Sequence, residues 1–410
     1  MIAKFSFMEE WKEYHIGDIC ESVSETYRKK SDMVVLVNTS DILDGVCLNH
    51  SYVENKDLKG QFKKSFRKND ILYSEIRPAN KRFAYIDFDP TDYIASTKLM
   101  VIRSSDLVRP RYLYHYLKRK ELLDELQALA ESRSGTFPQI TFSELALFEI
   151  RLPSLEMQDK IIAAIDAFEN KIALNNRINH NLEEQAQALF KSWFVDFEPF
   201  KGSDFVDSEL GLIPEGWRVG TLSELGDIVA GGTPSKTKPE YYTNNGIAWL
   251  TPKDLSVKCN KFTARGEIDI TEDGYKNSSA KLMPRGSVLF SSRAPIGYIS
   301  IAKGDICTNQ GFKSVVPTYA GTAYLYYWLC ENTEAIEAQA SGSTFKEASG
   351  SLMRSFPALV PEKSVIDSFE KELSPILNEQ EILEEEINHA EQIRDSLLPR
   401  LMSGELVMNC

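Results

Sequence analysis

Between Lys56 and Lys68, six of thirteen residues are cationic: Lys56, Lys59, Lys63, Lys64, Arg67 and Lys68, with Phe62 and Phe66 set among them. Cations at this density suit phosphate oxygens, because each phosphate they neutralise releases condensed counterions. Arg77, Lys81 and Arg82 follow directly on the strand-like run Ile71–Ser74, where they can reach into a groove. Arginine is the side chain best able to bridge guanine O6 and N7. The second half of the chain offers Thr233, Ser235, Lys236 and Lys238 in a small-residue loop opened by Gly231-Gly232. Lys253, Lys258, Lys261, Arg265, Arg285, Arg293 and Gln310 complete its polar candidates. The chemistry these residues predict is binding, to a phosphate backbone and to base edges. Trp11 and Trp217, near the start of each half, read as core rather than as stacking platforms.

Catalytic patterns are missing. No G-x-x-x-x-G-K-[ST] loop is present to cradle a nucleotide, and no Asn-Pro-Pro-aromatic tetrapeptide of the amino-methyltransferases. Glu10-Trp11-Lys12 is an isolated E-x-K without an upstream acidic partner on a strand. The six cysteines form no C-x-x-C pair and the five histidines do not cluster with them, so neither a zinc site nor a disulfide framework is expected. The reading is a non-catalytic chain without a metal or cofactor of its own. No apolar run is long enough to span a bilayer, and Met1-Ile2-Ala3-Lys4-Phe5 lacks a signal-peptide core, so a cytoplasmic protein with no membrane partner is expected.

The elements that must position these residues occur twice. Tyr112-Leu113-Tyr114-His115-Tyr116-Leu117 recurs as Tyr324-Leu325-Tyr326-Tyr327-Trp328-Leu329, and Ile71-Leu72-Tyr73-Ser74 as Val288-Leu289-Phe290-Ser291. Arg77 pairs with Arg293, Gly135-Thr136-Phe137 with Ser343-Thr344-Phe345, and Ile178-Asn179-His180 with Ile387-Asn388-His389. Two copies are too few for a solenoid and present two similar surfaces about a pseudo-twofold axis, an arrangement that suits duplex DNA.

Each copy ends in a long helix. Ile366, Phe369, Leu373, Ile376, Gln380, Leu383, Ile387, Ala390, Arg394, Leu397 and Leu401 alternate by three and four, as a coiled-coil seam does. Pro375 should kink or break that helix, and Pro399 with Gly404 should end it. In the central segment Ile161, Ile165, Phe168 and Ile172 start a similar seam. Ile178, Leu182, Gln185 and Leu189 resume it after a three-residue slip at Asn175-Asn176. Two such seams want each other, as an antiparallel coiled-coil pair. Most of the net charge of −13 falls in these helices, so the two larger units are near neutral and can carry basic faces.

At this point the chain resembles a known family. Ala188-Leu189-Phe190-Lys191-Ser192-Trp193-Phe194-Val195-Asp196-Phe197 and Leu212-Ile213-Pro214-Glu215-Gly216-Trp217 are similar to segments of the specificity subunits of type I restriction–modification systems. So are Gly231–Ser235, Trp249-Leu250-Thr251-Pro252-Lys253-Asp254-Leu255, Cys307-Thr308-Asn309-Gln310-Gly311-Phe312 and Leu397-Leu398-Pro399-Arg400-Leu401-Met402-Ser403-Gly404. The resemblance implies an α+β chain with two tandem mixed α/β target-recognition domains, at 1–152 and 215–360. A central conserved helix at 153–198, a linker at 199–214 and a C-terminal conserved helix at 361–404 complete it. The two helices separate the domains as a ruler, with Ile165, Phe168, Ile172, Leu182, Leu189, Phe369, Leu373, Leu383, Ile387 and Leu397 along their seam. It implies a split, asymmetric double-stranded DNA target, two modification (methyltransferase) subunits and restriction (ATP-dependent nuclease) subunits. S-adenosylmethionine, ATP and Mg belong to those partners. The first domain departs from the pattern, with Ala95-Ser96-Thr97-Lys98 where the second has Thr308-Asn309-Gln310-Gly311.

The alternatives are a specificity subunit of another two-part modification system, an acidic DNA mimic and a coiled-coil scaffold. A mimic needs carboxylates along a phosphate-like path, whereas these lie beside apolar seams. A scaffold has no use for two elaborate α/β units.

Overall fold

A computed structural model describes residues 11–29, 31–56, 58, 60–132, 138–257, 260–342 and 346–406. Lys59, Lys258, Glu10 and the repeat segments 135–137 and 343–345 lie outside the described residues. The chain forms two compact units. One comprises Met1–Lys171 with His389–Cys410, the other Ile172–Asn388.

In the first unit Lys12–His15 pairs antiparallel with Glu149–Leu152, directly before the central helix. Between them lies an antiparallel sheet in the order Cys20–Val23, Leu99–Ser104, Ile71–Ser74, Phe83–Tyr85. Its side chains alternate faces, as strand geometry requires. Ile71, Tyr73, Met100 and Ile102 pack toward the helices Pro110–Leu117 and Lys120–Glu131, while Leu72, Leu99 and Val101 pack with Val35, Val37 and Ala95. The latter belong to a second sheet in which Met33–Val37 runs parallel to Tyr93–Ser96. The Tyr- and Leu-rich stretch after Arg111 thus forms two helices rather than one. Arg119 is extended between them, with its guanidinium 4.2 Å from the Tyr116 ring centroid.

The second unit repeats this plan. Arg218–Thr221 pairs with Pro357–Val360, and the sheet order is Gly226–Ala230, Lys313–Pro317, Val288–Ser292, Ile296–Ala302, Phe262–Thr263. Trp249–Leu250 runs parallel to Cys307–Thr308, as Met33–Val37 does to Tyr93–Ser96. The helix Thr322–Gln339 buries Tyr324, Leu325, Tyr327 and Leu329. The stretch read as a linker contains an antiparallel hairpin, Phe205–Ser208 with Gly211–Pro214.

The long helices are Leu155–Phe194 (40 residues) and Lys363–Ser403 (41 residues). In the first unit Ile161 and Ile165 share a core with Leu398, Leu401 and Met402. In the second Phe194 meets Phe369 (ring centroids 4.8 Å apart), Glu183 meets Gln380, and Asn175 meets Glu386, so the helices run antiparallel. Of the seam residues, Ile165, Ile172, Phe369, Leu373 and Leu383 are buried, whereas Phe168, Leu182, Leu189, Ile387 and Leu397 are half-buried.

Three helix expectations change. Pro375 does not break the C-terminal helix: it is exposed, and Phe369, Leu373 and Leu377 are buried around it. An interior proline costs about 3 kcal/mol, whereas each such side chain contributes roughly 1.5–3 kcal/mol on burial. Pro399 also lies inside the helix, which ends at Ser403 before the left-handed Gly404 (φ +76°), where an added Cβ would meet the Trp11 ring at 2.8 Å. Nor does the central seam slip. Ile178 and Gln185 are exposed, and the inward face continues from Ile172 through Asn175, Asn179, Leu182, Ala186 and Phe190. Polar residues carry the regular spacing where apolar ones were sought. Among the described residues, no helix is long and apolar enough to cross a membrane.

Candidate nucleic-acid interface

The basic stretch divides by environment. Lys63, Arg67 and Lys68 are exposed, and Lys56 is exposed beside Glu54 at 3.4 Å. Lys64 instead donates from Nζ to the Leu99 carbonyl at 2.8 Å, and burial lowers its pKa. Phe66 is in the core of the first unit rather than beside the cations. Arg77 and Lys81 are both left-handed, at φ 46° and 52°, and bracket the turn Pro78–Asn80. Lys81 pairs with Asp44 at 3.7 Å, and Arg82 Nη1 donates to the carbonyls of Ser40 and Ile42 at 3.1 Å each.

In the second unit the Gly231-Gly232 loop is tightly held. A Cβ at Gly231 would lie 2.0 Å from the Asn309 carbonyl oxygen, and one at Gly232 would lie 2.4 Å from the Ala280 nitrogen. Only glycine fits. Trp249 Nε1 donates to the Gly232 carbonyl (3.0 Å), Tyr242 donates its hydroxyl proton to the Pro234 carbonyl (2.6 Å), and Thr233 Oγ1 donates to Gln310 Oε1. Ser235 and Lys236 are exposed, and Lys238 Nζ donates to the Tyr241 hydroxyl at 3.0 Å. Lys253 pairs with Glu267 at 3.2 Å. Arg293 and Lys313 converge on Glu347, at 3.6 and 3.2 Å. The structure thus gathers Thr233, Arg293 and Gln310 with Glu347, a residue the charge pattern does not single out.

Lys261, grouped with the surface cations on sequence, is buried. Its Nζ donates to Glu183 Oε2 (2.6 Å), to Gln380 Oε1 (2.8 Å) and to the Tyr327 hydroxyl (2.5 Å). An ammonium so engaged is not available to phosphate. In the first unit His115, Asp166 and Glu169 bring metal-type ligand atoms together, but Arg111 and Lys118 are ion-paired to the two carboxylates. Two cations occupy the place a metal would need.

The duplicated sheets also realign the repeats. Ser74 faces Leu99 in one ladder as Ser291 faces Phe312 in the other. The Glu75 amide donates to the Lys98 carbonyl (3.2 Å) and the Ile140 amide to the Glu75 carbonyl (2.8 Å). Likewise the Ser292 amide donates to the Gly311 carbonyl (2.7 Å) and the Ala348 amide to the Ser292 carbonyl (2.9 Å). Glu75 therefore corresponds to Ser292, and Arg77 to Ala294 rather than to Arg293. Arg77 and Ala294 are both non-glycine residues in the left-handed region, and each precedes a proline. The counterpart of Arg293 is Ile76.

The model of the type I restriction modification DNA specificity domain matches this chain twice, over residues 8–184 and 214–392. The chain belongs to that family. The HindI type I restriction enzyme specificity subunit of Haemophilus influenzae is 32% identical, across 97% of this chain and 100% of its own. The MjaIX specificity subunit of Methanocaldococcus jannaschii is 36% identical over 44% of each chain. A crystal structure of a type I restriction-modification S subunit from M. genitalium covers 99% of both chains with a TM-score of 0.62, at 15% identity, which is a likeness of fold. This specificity subunit thus carries two DNA specificity domains in tandem, and each matched segment contains one of the duplicated sheets.

Proposed function

We propose that each unit of this specificity subunit reads one half of a split, asymmetric DNA target, and that the chain brings two modification subunits and the restriction subunits to it. The observation that carries this reading is the double family match over two sheets that share a four-strand order. Similar scaffolds with different surface residues suit two different half-sites. The long helices set the distance between those half-sites. The chain itself is not catalytic: adenine methylation and ATP-dependent cleavage are the partners' work, and S-adenosylmethionine, ATP and Mg bind there. It works in the cytoplasm.

Methylation sequencing tests this, in a methylation-free host expressing the chain with its cognate methyltransferase, against the methyltransferase alone. Methyladenine in a split motif with a fixed gap, present only with the chain, is expected. A soluble, co-purifying pair that methylates no such motif would overturn the reading. The purified chain alone should neither bind S-adenosylmethionine nor hydrolyse ATP.

A further inference from the structure

Where the two units are matched by strand pairing or by the sequence repeat, their core positions keep their chemical type. Leu72 corresponds to Leu289, Tyr73 to Phe290, Tyr112 to Tyr324 and Leu113 to Leu325, all buried. Just beyond the strands Ile71–Ser74 and Val288–Ser292 the opposite holds. The paired main-chain hydrogen bonds of Glu75 and Ser292 recur at this junction in both units, yet the side chains beside them change class. Ile76 is replaced by Arg293, Thr97 by Gln310 and Gln139 by Glu347, and none of the six is buried. They come from three separate segments. Ile76 bridges Gln139 in the first unit, Arg293 lies 3.6 Å from Glu347 in the second, and Lys313 Nζ reaches both Glu347 and the Gln310 carbonyl.

A shared hydrogen-bond framework bearing altered side chains is what a duplicated reader of two different half-sites requires. We infer that these three matched positions form the base-reading patch of each unit, with Ile76, Thr97 and Gln139 as readers in one and Arg293 and Gln310 in the other, an assignment that rests on the DNA-reading function proposed above. The side chains then give each half-site a character. Arginine bridges guanine, glutamine bridges adenine, and aliphatic or threonine methyls meet the thymine methyl. Ile76, Thr97 and Gln139 suit an A·T-biased half-site. Arg293, held by Glu347, selects a guanine in the other half-site, and Gln310 an adenine. Glu347 is a positioning residue, because its carboxylate sets the direction of the guanidinium.

The test is the methylated motif of complexes carrying Arg293→Ala, Gln310→Ala or Gln139→Ala. Arg293→Ala should relax one G·C position by about tenfold and leave the other half-site unchanged. Gln139→Ala should relax one A·T position in that other half-site only. Lys63→Ala, at an exposed cation, should lower methylation at all sites alike. An unchanged motif in both Arg293→Ala and Gln139→Ala, with normal methylation, would overturn the assignment, and so would equal effects on both half-sites. Should Arg293→Ala fail to co-purify with the methyltransferase, Arg293→Lys keeps the charge but loses the two-pronged geometry. Full specificity in that variant overturns the assignment equally. A wild-type complex without a split motif would instead sink the proposed function.

Discussion

Lys261 Nζ lies 2.6 Å from Glu183 Oε2, and the same ammonium reaches Gln380 Oε1 at 2.8 Å, so one buried cation beside the edge strand Phe262–Thr263 of the second unit holds both long helices. The main chain adds to the clasp, with the amides of Lys261 and Phe262 donating to the Glu384 carboxylate at 2.8 and 3.2 Å. Burial lowers the Lys261 pKa. Burial alone would raise Glu183, but the adjacent ammonium together with hydrogen bonds from Gln380 and Gln187 holds the carboxyl below its ordinary value. Lys261→Met leaves Glu183 without its cation and should cost about 3 kcal/mol, read as a lower Tm of the chain. Adding Glu183→Leu should recover most of that loss, because the cost lies in the unpaired charge. An equal loss in the single and double variants would contradict the clasp.

Acid should weaken the first unit earlier than the second. His115 is wholly buried, Nε2–H donates to Asp166 Oδ1 at 3.0 Å, and burial lowers its pKa. Arg111, Lys118 and His115 together hold Asp166 and Glu169 below the ordinary carboxylate range, against the opposing effect of burial. With the folded His115 pKa depressed, the unfolded chain takes up its proton first, and stability falls as pH drops below roughly 6.5. The carboxylates act in the same direction at lower pH, as their folded pKa values are approached. The slope from one group is at most about 1.4 kcal/mol per pH unit. Melting curves from pH 7 to 5 should therefore fall in the wild type and flatten in His115→Gln. An identical slope in that variant would remove His115 as the cause.

Much of this organisation is legible in the chain because it rests on local periodicity. The two long helices, the duplicated strands and the Tyr- and Leu-rich helices all show in apolar spacing. What escaped depends on distant partners. Lys261 looks like any surface lysine, since Glu183, Tyr327 and Gln380 come from three remote segments. The central seam seemed to slip because Asn175 and Asn179 are polar, although they hold the inward positions. The Arg77–Arg293 pairing followed residue identity, whereas the main-chain hydrogen bonds place these residues one position apart.

Salt dependence should separate the cations of the basic stretch. Lys63 and Lys68 are exposed, so each contact they make with phosphate adds close to one ion to the release on binding. Lys63→Ala and Lys68→Ala should each flatten the plot of log affinity against log salt by about 0.9, with no change in motif. Lys64 spends its ammonium on the Leu99 carbonyl, so Lys64→Met should lower Tm and leave the slope alone. A slope that changes only with Lys64→Met would reverse this assignment.

The last prediction concerns the polar centre of the helix pair. Asn175 is 6% exposed on the seam, and its Nδ2 donates to Glu386 Oε2 at 2.9 Å. An apolar seam tolerates sliding by whole turns, because one leucine replaces another in the same hole. A buried amide does not, since any other register leaves it without its acceptor. Replacing both partners together, Asn175→Leu with Glu386→Leu, removes this pair's share of the penalty for the wrong register, beside that of the Lys261 clasp, and the desolvation of the polar pair. The Tm should therefore hold or rise. If the helices measure the distance between half-sites, the same variant should methylate motifs with more than one gap length, whereas the wild type keeps one. Asn175→Gln, which retains the amide, should restore the single gap. A double-leucine variant that keeps one gap at undiminished Tm would show that the Lys261 clasp or the domains, rather than this pair, set the register.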